Sequence, residues 1–372
     1  MICELIINQQ VLAKNMAHFT HGMALMMFVL FAISLIRSKE KNRLHRFLLW
    51  EVFFWVFVEL KDVVYLIDGM WENETVFLTN LCIDMWCVPF TFAILFEILS
   101  PKWMNFKHIA LISSPFLLLS VITVVVADLF LFKVLIIIAL CFGLVAAIVV
   151  VRAARKYDKY LKDNYSNLER ISVHWLMWFI ILLMIVLIAW ALVNWRFSWW
   201  GDAVFYLFIS VCWIVFYFKT QEQTFVEIPD LLMPFSFGSK GEDKIMTVSL
   251  SKDNAVCANQ KNIDLASKLN KQMNVNHIYL QPDLSINTLA MALATNRTYL
   301  SDYLNGTLKT TFYDYVNAFR VEEACVLLLS QREKSLGEIA ELCGFGSVST
   351  FRRAFQKYKS MNPSEWRQKH KL

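Results

Sequence analysis

The sequence predicts an all-α protein in two parts, a seven-helix transmembrane bundle followed by a polar helical tail. Three observations predict it. Apolar residues make up 57% of the 372 and charged residues only 18%, an oilier balance than soluble chains carry. Before Lys219 lie seven apolar runs of the order of the ~17–25 residues a helix needs to cross about 30 Å of hydrocarbon. After Lys219 those runs give way to the three- and four-residue spacing of amphipathic helices.

The expected spans are Phe19–Ile36, Phe47–Ile67, Val76–Leu99, Ile109–Ala127, Val134–Val151, Val173–Val193 and Ala203–Phe218. The fourth and fifth are parted only by a short turn around Asp128 and Lys133, yet together are too long for one crossing. Basic residues fall in alternate loops. Arg37, Lys39, Lys41, Arg43 and Arg46 follow the first span and Lys102 and Lys107 the third; Arg152, Arg155, Lys156, Lys159, Lys162 and Arg170 follow the fifth. The positive-inside rule puts these three loops in the cytoplasm. The intervening loops hold Asp68, Glu72 and Glu74, then Asp128, then Trp195, Trp199 and Trp200, an interfacial aromatic belt. The N-terminus is therefore expected outside and the tail inside. The first run lacks a basic n-region and a small-residue cleavage site, so it reads as a retained span.

Ionisable residues inside a span are functional candidates because hydrocarbon penalises them. The second expected span holds Glu51, Glu59, Lys61 and Asp62, and the third Asp84 and Glu97. Lys61 lies six residues inside the outer end of its span and Asp84 eight inside its own, which puts them at similar depth. An ion pair between adjacent antiparallel helices is expected. Glu59, Lys61, Asp62 and Asp84 read either as a packing cluster or as a ligand or proton site open to the outer face. Pro89 is expected to kink the third span.

Other chemistries find little support. The eight cysteines form no CxxC pair and no zinc-type spacing, and read as free thiols packed as small apolar groups. His18 and His21 share a helix face but have no third ligand, so no metal site is expected. The last span has no lysine for a retinal Schiff base, and the tail has no P-loop or kinase glycine loop. Neither a cofactor nor an enzyme is expected.

Residues 1–218 are thus expected to form the membrane domain and 219–275 a cytoplasmic linker. Pro229, Pro234, Gly238 and Gly241 act as breakers there, with a short helix over Ile263–Met273. Residues 276–372 form the tail domain. In LSINTLAMALATNRTYLSDYLN, Ser285 can cap one helix and Thr295 or Asn296 the next; in SLGEIAELCGFGSVSTFRRAFQKY, Ser335 and Glu338 form a capping box, Gly344 and Gly346 bracket a turn, and Ser347 caps the second helix. These are two helix-turn-helix units joined by TFYDYVNAFRVEEACVLLLS, about 28 Å of helix against the ~34 Å between successive major-groove faces. On the second recognition helix Phe351 and Phe355 mark the buried stripe and leave Ser349, Arg352, Arg353 and Gln356 on the opposite face. Arg is suited to guanine O6 and N7.

The run AELCGFGSVSTFRRAFQKYKSMNPSEWR resembles the AraC-family signature through Ala340, Gly344, Phe345, Ser347, Phe351, Phe355, Pro363, Trp366 and Arg367. The upstream unit resembles the family through Leu289, Ala290, Tyr299, Leu300, Ser301, Phe312, Tyr315, Arg320 and Ala324, so the likeness spans Ile278 to Lys369. Ser360 and Asn362 stand where Gly and Ser or Thr are usual, implying a local turn adjustment. Asp302 stands where a basic or amide residue is common; it repels phosphate but can accept from cytosine N4. The resemblance adds Thr350 to the DNA-facing residues, and suggests Thr298, Ser301 and Asp302 at the groove with Arg297 and Lys357 nearer phosphate.

The resemblance, which covers only the tail, implies a DNA-binding transcription regulator, and the expected spans fix it in a bacterial cell membrane. Its expected partners are promoter DNA, membrane lipids, RNA polymerase, a second copy of the chain and an unidentified stimulus. The competing reading is a membrane receptor or transporter whose helical tail docks a protein partner.

Overall fold

The computed structural model describes residues 2–370 apart from 40, 68, 71, 102, 197, 225 and 227–251. Asp68, Lys102 and the breakers Pro229, Pro234, Gly238 and Gly241 lie outside the described residues. Among the described residues the regular elements are helices, with one isolated bridge between Tyr165 and Ser285. The chain divides into two compact units, Met1–Tyr157 with Val173–Phe235, and Asp158–Ser172 with Ser236–Leu372.

The first unit contains α1 (Ile2–Arg37), α2 (Arg43–Lys61), α3 (Glu74–Asp84), α4 (Cys87–Leu99), α5 (Phe106–Val126), α6 (Leu129–Asn164) as far as Tyr157, α7 (His174–Arg196) and α8 (Trp199–Glu222). Asparagines open several of them: Asn42, Asn73 and Asn105 accept from the backbone of His45, Val76 and His108 at 2.8, 3.1 and 3.0 Å. α1 packs against α8 and α2, α7 against α8, α2 against α4, and α5 against α3 and α4.

Among the described residues six stretches are long and apolar enough to cross a membrane: Asn8–Arg37, Glu74–Leu99, Phe106–Val126, Leu129–Asn164, His174–Trp195 and Trp199–Glu222. The second expected span, Phe47–Ile67, corresponds to α2 and a 3-10 turn over Asp62–Leu66. Its charges lower its hydropathy, and they point inward. Glu51 and Glu59 are buried while Trp50, Phe53 and Phe57 are exposed, Trp50 to 75%. That is the inverse of a soluble amphipathic helix and suits a hydrocarbon surround.

The third expected span is interrupted rather than merely kinked: α3 ends at Asp84 and α4 begins at Cys87. Pro89 has no N–H to offer the Met85 carbonyl, which instead accepts from Val88 at 3.3 Å. Between α5 and α6, Ala127 turns the chain at a φ of 54°, and the Asp128 carboxylate accepts from Phe130 N–H at 2.8 Å. The six described cysteine side chains are free thiols.

The second unit contains α9 (Lys252–Asn274), α10 (Ile286–Ala292), α11 (Arg297–Asp302), a π turn (Tyr303–Thr307), α12 (Phe312–Ser330), α13 (Leu336–Leu342), α14 (Val348–Lys359) and α15 (Pro363–Lys369). α9 is about twice the length of the helix expected over Ile263–Met273. Leu265, Leu269 and Met273, four apart, join the core beneath α10 and α11; three apolar residues in a polar run give a weak periodic signal. α12 serves two cores, with Phe312 and Val316 in the first and Val321, Ala324 and Leu328 in the second.

The family turn departure resolves locally. Ser360 takes a φ of 55°, where glycine is the easier residue, and Asn362 forms a capping box with Glu365 at the start of α15.

Candidate functional site

Both helix-turn-helix units are built by side-chain caps. Ser285 accepts from Thr288 N–H at 3.2 Å and Asn296, rather than Thr295, from Tyr299 N–H at 2.7 Å. In the second unit Ser335 Oγ accepts from Glu338 N–H at 3.2 Å while Glu338 Oε2 accepts from Ser335 N–H at 2.8 Å. Ser347 caps α14 through Thr350 N–H at 3.2 Å. Gly344, at a φ of 79°, passes so close to the preceding segment that a Cβ there would lie 2.6 Å from the Leu280 carbonyl. A left-handed turn pressed on backbone admits no side chain.

Hydrogen bonds from the Ser335 side chain and backbone hold the Glu338 carboxyl below its ordinary 4.5. A depressed carboxyl contributes its stability above the ordinary value and loses it as pH falls through the folded value. The stability difference between wild type and Glu338→Gln, followed by hydrogen exchange over α13, is therefore expected to shrink on acidification from pH 6 to 3. Ser335→Ala is expected to cost about 1 kcal/mol at neutral pH.

On α14 the buried stripe is Phe351, Ala354 and Phe355, and Ser349, Arg352, Arg353, Gln356 and Lys357 are exposed. Thr350 is not brought to that face: it is 7% exposed and its hydroxyl accepts from Ser347 Oγ at 3.3 Å. The helix is braced on α12. Lys357 Nζ lies 2.6 Å from Asp314 and Lys359 Nζ 2.7 Å from Glu322, and Tyr358 OH donates to the Asp314 carbonyl at 2.9 Å. On α11, Arg297, Thr298 and Asp302 are exposed and Ser301 is half-buried, its hydroxyl accepting from Asn305 at 3.3 Å.

A residue that the reading-face argument did not use holds these pieces together. Arg320, on α12, is 0% exposed. Its Nε donates to the Tyr279 carbonyl at 2.7 Å and its Nη2 to those of Gln281 at 2.6 Å and Pro282 at 3.4 Å. Two further bonds reach Ser166, the carbonyl at 3.5 Å and Oγ at 3.2 Å, and the guanidinium lies 5.7 Å over the Phe345 ring. Burial lowers Arg320 to about 10, which leaves it charged at neutral pH.

Ser166 belongs to residues 158–172, expected only as a basic loop. This segment folds as part of the second unit. Ser166 donates through N–H and Oγ to the Leu284 carbonyl at 3.2 and 2.7 Å. Asn167 packs against Gly346, where its amide leaves no room for a Cβ. Arg297 lies 5.5 Å over the Tyr160 ring. The segment thus touches both helix-turn-helix turns.

In the first unit Lys61 Nζ lies 2.6 Å from Asp62 and 2.8 Å from Asp84. Tyr206 OH donates to the other Asp62 oxygen at 3.1 Å, and His21 Nε2 donates to the Glu59 carbonyl at 2.8 Å. Depth arguments put Lys61 near Asp84; only the fold adds His21 and Tyr206. Lys61→Met leaves Asp62 and Asp84 without their buried cation, and is expected to destabilise the purified protein by about 3–5 kcal/mol. Thermal melting in detergent reads this, and adding Asp84→Asn is expected to recover part of the loss.

A family model described as a helix-turn-helix domain matches residues 289–369. The chain is 33% identical over 84 residues to the melibiose operon regulatory protein of Escherichia coli (strain K12), covering 23% of this chain and 28% of that one. It is 36% identical over 90 residues to the uncharacterized transcriptional regulatory protein YesN of Bacillus subtilis (strain 168), covering 24% of each. It is 29% identical over 101 residues to the probable transcriptional regulator LumQ of Photobacterium leiognathi, covering 27% of this chain and 40% of that one. The chain therefore spans well under half the length of these curated relatives. Among solved structures, it is similar to the C-terminal domain of AraT, a response regulator from Geobacillus stearothermophilus, at 27% identity, 29% and 87% coverage and a TM-score of 0.26. The C-terminal quarter is an AraC-type helix-turn-helix domain.

Proposed function

We propose that this chain is a membrane-embedded, sequence-specific transcription regulator, a one-component signal transducer with its N-terminus outside the bacterial cell membrane and α10–α15 in the cytoplasm. The observation that carries the reading is α14. Arg352, Arg353, Ser349 and Gln356 share its exposed face, and Lys357, Lys359 and Tyr358 fix it to the helix that also supports α11. The six apolar stretches and the alternation of basic loops support the membrane assignment. A second copy of the chain and RNA polymerase complete the partners.

The signal reaches DNA through α6. One continuous helix, Leu129–Asn164, begins in the first unit and delivers residues 158–172 to the second. Gly143 offers a test of that route, because a Cβ there would stand 2.5 Å from Leu187 Cδ2 on α7. Gly143→Leu wedges α6 from α7 and is expected to change DNA affinity several-fold; affinity within twofold of wild type would sink this route.

The regulator reading is tested with the full chain in lipid nanodiscs, incubated with sheared genomic DNA of the source cell. Recovered fragments are expected to share a repeated site bound about 10³-fold or more tighter than random DNA. Recovery no different from random DNA favours a tail that docks a protein instead.

A further inference from the structure

Within the first unit a cavity of 160 Å³ opens among α1, α2, α3, α4, α7 and α8. About 10–15 Å³ suffices for one water, so the space takes a small organic molecule. Four carboxylates line it: Glu59, Asp62, Asp84 and Asp202. Lys61 answers two of them, shared between Asp62 and Asp84 at 2.6 and 2.8 Å. His18 and His21 are the remaining ionisable groups with cationic forms on the lining.

Glu59 separates this cavity from a closed packing cluster. It is 2% exposed, and its Oε2 accepts no hydrogen bond. The nearest donor, His21 Nε2, stands 3.3 Å away and already donates to the Glu59 backbone carbonyl. A buried carboxylate oxygen without a donor is costly unless something else approaches it. Asp202, in the first turn of α8, lines the same space.

Aromatic rings, among them Trp55, Trp190, Trp199 and Phe205, share the rest of the wall with aliphatic side chains. Ring faces attract cations, and excess carboxylate behind them supplies the long-range pull. Trp199 already has a cation over it, Lys14 Nζ at 5.9 Å. An anion entering this cavity meets carboxyl groups in excess of cations, and a solute without a donor leaves the Glu59 oxygen unanswered.

We propose that the cavity binds a small organic ammonium ion with an apolar body, its nitrogen held between Glu59 and Asp202 and its body against the tryptophans. The inference deepens the reading of the first unit as a sensor and names the class of stimulus. It does not depend on whether the tail binds DNA.

The test uses the full purified chain in nanodiscs without DNA, so that it can fail separately from the regulator reading. Quenching of tryptophan fluorescence is followed with phenethylamine, 2-phenylethanol and 3-phenylpropanoate, which share one body and differ in head-group charge. The amine is expected to give a saturable response, with the alcohol and the acid at least tenfold weaker. Glu59→Gln with Asp202→Asn is expected to weaken the amine at least tenfold while leaving the melting temperature of the ligand-free protein equal or higher, because a buried carboxyl whose Oε2 has no donor is removed. Equal response to all three heads, no response to 10 mM amine, or undiminished amine binding by the double variant would overturn the proposal.

Discussion

Arg320→Leu is expected to abolish DNA binding at every salt concentration and to raise hydrogen exchange throughout α10–α15. The leucine leaves the carbonyls of Tyr279, Gln281, Pro282 and Ser166 without the guanidinium donors they now share. Each orphaned buried acceptor costs about 1–3 kcal/mol, so breaking this network is expected to take on the order of 4 kcal/mol or more. A domain of ordinary stability, about 5–15 kcal/mol, has little left after that. Arg320→Lys is expected to fall between, since an ammonium is a point charge with three donors and cannot span acceptors on several sides. Protection in Arg320→Leu equal to wild type would show that the buried network contributes nothing.

The second large effect lies on the proposed reading face of α14. Arg352→Ala and Arg353→Ala are each expected to lower affinity for the selected site by about 1–3 kcal/mol, and together by roughly 30-fold to more than 10⁴-fold. Affinity for random DNA is expected to fall much less, and mobility shifts on both DNAs separate the two. Arg353 is the better anchored, its Nε donating to the Ser349 carbonyl at 3.3 Å. Equal losses on selected and random DNA would reduce both arginines to phosphate contacts.

The sequence makes some of this legible because capping is local. Ser285, Ser335 with Glu338, and Ser347 announce their helices through a partner three residues away, and the structure closes each bond. The exposed face of α14 is legible for the same reason, since Phe351 and Phe355 fix which side is buried. Thr350 shows the limit of resemblance: one position along the helix turns it into the packed side. α9 was nearly hidden because Leu265, Leu269 and Met273 acquire meaning only against a core supplied from elsewhere. The Arg320 site is harder still, because its Ser166 acceptor lies 154 residues upstream and no spacing rule reaches that far.

The placement of Ser166 bears on inheritance. A DNA-binding domain that moves freely between proteins carries all its own hydrogen-bond partners, whereas this one borrows a carbonyl and a hydroxyl from residues between α6 and α7. A tail cut loose in the linker leaves them behind and forfeits part of its stability, so release by proteolysis would deliver an impaired domain. Adding a peptide of residues 158–172 in trans to that tail is expected to restore protection over α12. The two halves of this protein are therefore fused twice, once through the peptide chain and once through the inside of the DNA-binding domain, and divergence in either must answer to the other.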